Sequence, residues 1–181
     1  GRVAREGAVR TIETGCGLGI SGLSMIAGVD DHSGGGVRSL HTALDPGQTA
    51  PEWMDSAALL LFERAGVLDR VRLIEKPSEV ALPVLSEAGE VFDCAFVDGS
   101  HWFENVLIDL VFLKRLVKPG GRIVVDDLWM PAVETAVDYA VKNLAMTPID
   151  ADELGPLRLS ALRVPEGPDQ RAWDMFEPFG V

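Results

Sequence analysis

Between Thr11 and Gly22 the chain reads Thr-Ile-Glu-Thr-Gly-Cys-Gly-Leu-Gly-Ile-Ser-Gly, and few architectures can use such a run. A short β-favouring stretch leads into glycines at alternating positions (Gly15, Gly17, Gly19), and a helical pattern follows. Glycines so spaced let the backbone take positive φ and approach a ligand closely. The unpaired amides of the next helix then point at that ligand. The stretch reads as a strand, a ligand-facing turn and the start of a helix.

The rest of the chain repeats that alternation. Gly19 to Ala27 is expected to be helix one, with Leu23 and Ile26 buried, and Asp30 to Gly36 a loop. Strand two is expected over Arg38 to Leu44, halted at Asp45-Pro46-Gly47. Apolar spacing puts helix two at Glu52 to Ala65, closed by Gly66. Strand three follows at Val71 to Ile74, then Ser78 as the N-cap of a helix running to Ala88, with Gly89 as its stop. Phe92 to Val97 reads as a buried strand, Glu104 to Leu116 as a helix, Lys118 to Gly121 as a turn, and Arg122 to Val125 as strand five. Pro131 to Leu144 is a further helix, with proline in its first turn.

Met146 to Ile149 and Leu157 to Val164 then read as two strands without a crossover helix, hence antiparallel. Residues 1–10 read as a short polar lead-in, the tail of a helix, and residues 166–181 as an extended tail. At 181 residues one domain spanning 1–181 is expected. The fold class is α/β: a Rossmann-like, doubly wound, mostly parallel sheet with an antiparallel C-terminal hairpin strand. Ligands in such sheets sit beyond the carboxyl ends of the strands. That rule selects Glu13 to Gly19, Asp45, Lys76 to Ser78, Asp98 to Trp102 and Asp126 to Trp129.

A net charge of −12 argues against a nucleic-acid partner. No apolar run is long enough for a membrane span, and no secretory signal opens the chain. The two cysteines, Cys16 and Cys94, lack CxxC spacing, which argues against zinc or a disulfide framework. The expected setting is a reducing cytoplasm. Gly17-x-Gly19-x-x-Gly22 also matches a dinucleotide fingerprint, so an NAD(P)-linked oxidoreductase stays open as an alternative.

Three motifs together carry a family resemblance over roughly residues 11–145. Glu13-x-Gly15-x-Gly17-x-Gly19 resembles the first motif of class I S-adenosylmethionine (SAM) dependent methyltransferases. Phe92 to His101 (Phe-Asp-Cys-Ala-Phe-Val-Asp-Gly-Ser-His) and Leu116 to Asp127 (Leu-Val-Lys-Pro-Gly-Gly-Arg-Ile-Val-Val-Asp-Asp) resemble their fourth and fifth strands. The DGxH, PGG and DD pattern is similar to a subgroup of small-molecule and macrolide-sugar O-methyltransferases. The resemblance implies a SAM-dependent transfer of a methyl group to a hydroxyl of a small molecule, assisted by Mg²⁺. The short segment before strand one and the compact hairpin depart from that pattern. They motivate a second reading, a SAM-binding module whose acceptor site needs a partner or a homodimer.

The resemblance assigns roles residue by residue. Glu13 would help hold the amino-acid end of SAM, on a loop formed by Gly15, Cys16, Gly17 and Gly19. Asp45 would accept the ribose hydroxyls and Ser78 would face the adenine. Asp98, Asp126 and Asp127 match the metal-ligand positions, with Asp98 also near SAM, and His101 matches the general base. Three clustered carboxylates repel unless a cation joins them, and a metal ion can lower the acceptor hydroxyl's pKa. Plainer alternatives stand beside these. Glu13 could be a solvated strand-end acid, Asp45 a turn residue, Ser78 an N-cap, His101 a helix cap, and Asp126 a loop cap. His41 lies within strand two and His32 in a Gly-rich loop, and neither has a carboxylate constellation near it in sequence. Trp102 and Trp129 flank the same mouth, Trp53 is placed to shield the ribose, and Trp173 and Phe176 to act as a lid or a subunit contact.

Overall fold

The computed structural model describes residues 10–34, 37–149 and 159–179. Strands β1 (Arg10–Thr14), β2 (Leu40–Leu44), β3 (Val71–Ile74), β4 (Phe92–Val97) and β5 (Val117–Val125) alternate with helices α1 (Ile20–Ser33), α2 (Ala57–Arg64), α3 (Ser78–Glu87) and α4 (Phe103–Leu116). After α5 (Pro131–Leu144) come β6 (Thr147–Pro148) and β7 (Ser160–Arg163). The seven strands form one sheet ordered β3-β2-β1-β4-β5-β7-β6. β1 to β5 pair in parallel, whereas β7 pairs antiparallel with β5 and β6 with β7. This is the expected mostly parallel sheet with an antiparallel hairpin edge.

Both faces of the sheet are covered, so alternate strand residues meet different helices. Ile12, Leu44, Ala95, Val97, Ile123 and Val125 share a core with Leu82, Leu110 and Val137 from α3, α4 and α5. Ala43 packs instead with Ile26 and Phe62 from α1 and α2, and Cys94 with Met25 and Val29. Fully burying a side chain such as Leu110 or Ile123 is worth roughly 1.5–3 kcal/mol. The register also lines up the strand ends: Thr14 stands level with Leu44 and Val97, and Val97 with Val125. The next residues, Gly15, Asp45, Asp98 and Asp126, therefore form one row along the carboxyl edge.

Four local expectations are corrected. Helix one runs on to Ser33 where a loop was expected, capped by Gly34 at φ 59°. Arg70 grips Asp30 through two hydrogen bonds of 2.7 and 2.8 Å, which holds a polar helical end that propensity alone disfavours. Gly35 and Gly36 of that expected loop lie outside the described residues. Helix two starts late, at Ala57, because Gln48 takes the Ser56 and Ala58 amides. The Lys118 to Gly121 turn is instead part of β5, at a register shift opposite Phe92 and Cys94. A Cβ at Gly121 would meet Asp93 O at 2.8 Å, so this glycine permits the close pairing. Ser78 is the first residue of α3, with Pro77 in the capping place.

At the C-terminus, Asn143 exchanges two hydrogen bonds with Glu177, and Phe179 packs on Phe103 and Tyr139. The tail from Pro165 to Phe179 is thus without helix or strand, as expected, but lies on α4 and α5. The expected lead-in at residues 1–9 and the start of the last strand at 157–158 lie outside the described residues.

Candidate active site

Beyond the row of strand ends lies a cavity of about 630 Å³. Its walls include Thr14, Gly15 and Gly17 from the turn, Asp45 to Gly47, Trp53, Pro77 to Glu79, Asp98 to Ser100, Trp102 and Asn105.

The glycine turn is built by close approach. Gly15 has φ +80°, and a Cβ on it would lie 2.1 Å from Asp98 O. Its amide donates to Leu44 O at 2.8 Å, which ties the turn to β2. Gly19, at φ +81°, opens α1. Asp45 is 5% exposed. Its Oδ2 accepts from the amides of Cys16 (3.2 Å) and Gly17 (3.0 Å), and its Oδ1 from Gly47 (3.0 Å). Asp45 thus clamps the turn as well as lining the cavity, so the turn-residue alternative and the wall position both hold. Gln48 completes the clamp, its amide donating to Gly17 O at 2.9 Å. No sequence spacing rule points to Gln48.

Glu13 lies behind this turn, not on the cavity wall. Its side chain is fully buried, with Oε1 3.0 Å from His41 Nε2. Ser21 Oγ donates to Oε2 at 2.5 Å, and His41 Nδ1 sits 2.8 Å from Thr11 Oγ1. Glu13 is therefore no solvated acid, and His41 does have a carboxylate partner, supplied by the neighbouring strand. A Cβ at Gly22 would meet His41 Nε2 at 2.7 Å. The third glycine of the fingerprint serves close packing of α1 on the sheet, which needs no dinucleotide. Cys16 also lies off the wall: its amide binds Asp45, while burial, then Glu13, pushes its thiol far above the ordinary value. Burial likewise pushes Cys94 up to about 12, so neither thiol is poised to react.

At the other end of the row, His101 Nε2 lies 2.9 Å from Asp127 Oδ2 and 3.7 Å from Asp98 Oδ1. All three side chains are about a third exposed. His101 Nε2 is itself buried and, for want of alignment, makes no hydrogen bond. One donor atom from each of these residues falls within 4.8 Å of the others. Asp126 is outside that set: its Oδ1 accepts the Asp127 amide at 2.7 Å. Of the expected trio, Asp98 and Asp127 gather with His101, while Asp126 stands apart from that group. Asp127 adopts φ 55°, and Trp129 Nε1 donates to its Oδ1 at 2.7 Å. Burial, then repulsion from Asp126, pushes Asp98 up to about 6.

Trp102 and Trp53 line the cavity, Trp53 packed over Gly47. Trp173 and Phe176 contribute nothing to its wall. Asp109, unremarked in the sequence, is buried under the floor and bonded to Thr14. Its signal was an acid on the buried stripe of α4, with Val106, Leu110 and Leu113.

Sheet order, glycine turn and acid-lined cavity define an open α/β fold of the class I methyltransferase kind. A family model described as a methyltransferase domain matches residues 12–128, and the chain belongs to that family. A catechol O-methyltransferase from Mycobacterium tuberculosis is 39% identical over 67 residues, covering 37% of this chain and 29% of that protein. The curated relatives are thus matched over about a third of their length. The structure of cofactor-bound Rv0187 from MTB superposes with a TM-score of 0.72 at 22% identity, covering 91% of this chain and 77% of that one. An O-methyltransferase from Bacillus cereus, in complex with S-adenosylhomocysteine, gives 0.66 at 18% identity, covering 89% and 76%. The oxidoreductase reading finds no support among these similarities. Among the described residues, no helix is long and apolar enough to cross a membrane.

Proposed function

We propose that the chain transfers the methyl group of SAM to a hydroxyl of a small-molecule acceptor. The observation that carries this is the juxtaposition of two sites along one strand edge. A clamped glycine turn with Asp45 stands at one end, and His101 between two carboxylates at the other. The turn, Asp45 and Ser78 would receive the adenosyl and methionyl parts. The acceptor would sit near Asp98, His101 and Trp102.

His101 is the group to take the hydroxyl proton. Asp127 and Asp98 then stabilise the imidazolium. The oxygen attacks the methyl carbon in line; the S–CH₃ bond breaks as the O–CH₃ bond forms. The products are a methyl ether and S-adenosylhomocysteine, and positioning supplies much of the rate.

The donor set Asp98, His101 and Asp127 also fits a divalent cation in its spacing, and an imidazole nitrogen that held the ion would not be free to take the proton, so this arrangement is the alternative to the His101 base. The imidazole suits Mn²⁺ or another nitrogen-accepting ion better than the expected Mg²⁺. Such an ion would act as a Lewis acid on the acceptor oxygen.

The test is calorimetric titration with S-adenosylhomocysteine, followed by a screen of phenol, catechol and sugar acceptors in EDTA, Mg²⁺ and Mn²⁺. Micromolar binding and ether formation are expected. Absence of cofactor binding would overturn the reading, and full turnover in EDTA would remove the cation from it. Sedimentation in parallel tests the homodimer: a strict monomer that turns over excludes a partner-completed site.

A further inference from the structure

The C-terminal tail reaches the His101 end of the strand row from behind. It is tied first at the last turns of α4 and α5, where Asp169 accepts from Lys114 Nζ at 3.0 Å and Arg171 donates to Asn143 O at 2.5 Å. The Glu177 backbone then pairs with the Asn143 side chain, at 2.8 Å in both directions. Beyond it the half-buried Phe179 ring meets both helices. It stacks on Phe103, with centroids 6.1 Å apart and planes at 11°, and stands edge-on to Tyr139 at 4.9 Å and 79°. Phe176 packs beside it at 5.8 Å. Phe103 is the first residue of α4, just after His101 and Trp102, and Tyr139 belongs to α5, the helix that follows Asp127. Both helices open without a side-chain cap, at Trp102 and Met130. A helix start that lacks a cap depends on packing to hold it in place.

Resting on the methyl-transfer reading above, we propose that Phe179 is a positioning residue for the His101 and Asp127 pair. Wedged between the two helices that these residues precede, it fixes their separation, 2.9 Å from His101 Nε2 to Asp127 Oδ2. The two side chains share no aligned hydrogen bond that would lock them together, so the spacing of α4 and α5 sets it. Phe179 is no part of the cavity wall. A displacement on the order of 1 Å at a reacting group can cost on the order of 10²-fold in rate. The wedge therefore acts on turnover, while the glycine turn clamped by Asp45 is built on β1 and β2 and is independent of it.

The experiment reads the pair directly. The histidines are His32, His41 and His101 alone, so the ¹⁵N imidazole spectrum is simple, and Asp127→Ala marks the ring beside Asp127. At one fixed pH, Phe179→Ala is expected to move the His101 signal in the direction that Asp127→Ala moves it and to leave His41 in place. Phe179→Tyr keeps the ring and should restore the wild-type position. Turnover of catechol with SAM is expected to fall about tenfold in Phe179→Ala, but within about twofold when Asp127→Ala is already present, with S-adenosylhomocysteine affinity unchanged. A folded Phe179→Ala with an unmoved His101 signal, or a loss of the same size beside Asp127→Ala, overturns this inference alone. Asn143→Ala releases Glu177 and should shift the same signal, which decides the matter if Phe179→Ala does not fold. A wild type that binds no S-adenosylhomocysteine overturns the methyl-transfer reading itself, while the spectrum still decides whether Phe179 places the pair.

Discussion

The two ends of the strand row are built on opposite plans. At the β1 and β2 end the acids are buried and occupied. Glu13 lies between Ser21 and His41, and Asp45 receives three backbone amides. At the β4 and β5 end, Asp98, His101 and Asp127 are about a third exposed and gather charge without mutual hydrogen bonds. The first end is a cradle whose shape the protein fixes for itself. The second keeps its electrostatic imbalance for an acceptor, a proton or a cation to settle. What separates the two ends is exposure: the first closes its acids off by burial, whereas the second leaves them about a third exposed.

Substitutions can break or sharpen that contrast. Gly15→Val is expected to have the largest effect, more than about 4 kcal/mol of stability. It places a branched side chain at φ +80° against a backbone carbonyl. Thermal denaturation measures it, and a normal melting temperature would refute the fixed cradle. Asp127→Ala should act at the other end only, with turnover falling about 10²–10³-fold. Its S-adenosylhomocysteine affinity should stay near wild type by calorimetry; a matched loss of affinity would merge the two ends into one.

Asp109 tests the floor between them through pH. Its folded pKa, about 6 through burial, lies above the ordinary carboxylic value. Protonation therefore favours the folded chain: the contribution is complete below about pH 4 and lost as pH rises through 6. Asp109→Asn should flatten that slope, on the order of 2–3 kcal/mol between pH 4 and 8, in urea titrations. The smallest effect is expected of Trp129→Phe, which frees Asp127 Oδ1. Turnover should fall about threefold with unchanged melting; a change in melting instead would make Trp129 a packing residue.

The contrast also explains what the sequence could reveal. The alternation of strands and helices, the mostly parallel sheet with its antiparallel edge and the row of strand-end acids were legible, because glycine spacing and apolar periodicity are local signals. The helix over Asp30 to Ser33 was not, since it depends on Arg70, 40 residues away. The Glu13 and His41 pair was hidden for the same reason: a parallel neighbour brings them together across 28 residues. At the acceptor end the acids themselves were visible, but their orientation was not. Asp126 Oδ1 accepts the Asp127 amide while His101 lies beside Asp127, whose backbone stands at φ 55°, and such loop geometry leaves no mark in residue spacing.

The antiparallel edge has a consequence for biosynthesis. β5 is a central strand, yet its second neighbour is β7, which begins at Ser160. At 5–20 residues per second a ribosome needs roughly 2–7 s to pass from Val125 to Ser160. For that interval Ile123-Val124-Val125 is a β-branched ribbon with one bare side. A nascent chain paused there is open to strand exchange with its siblings on the same message, the state that a holdase chaperone would shield.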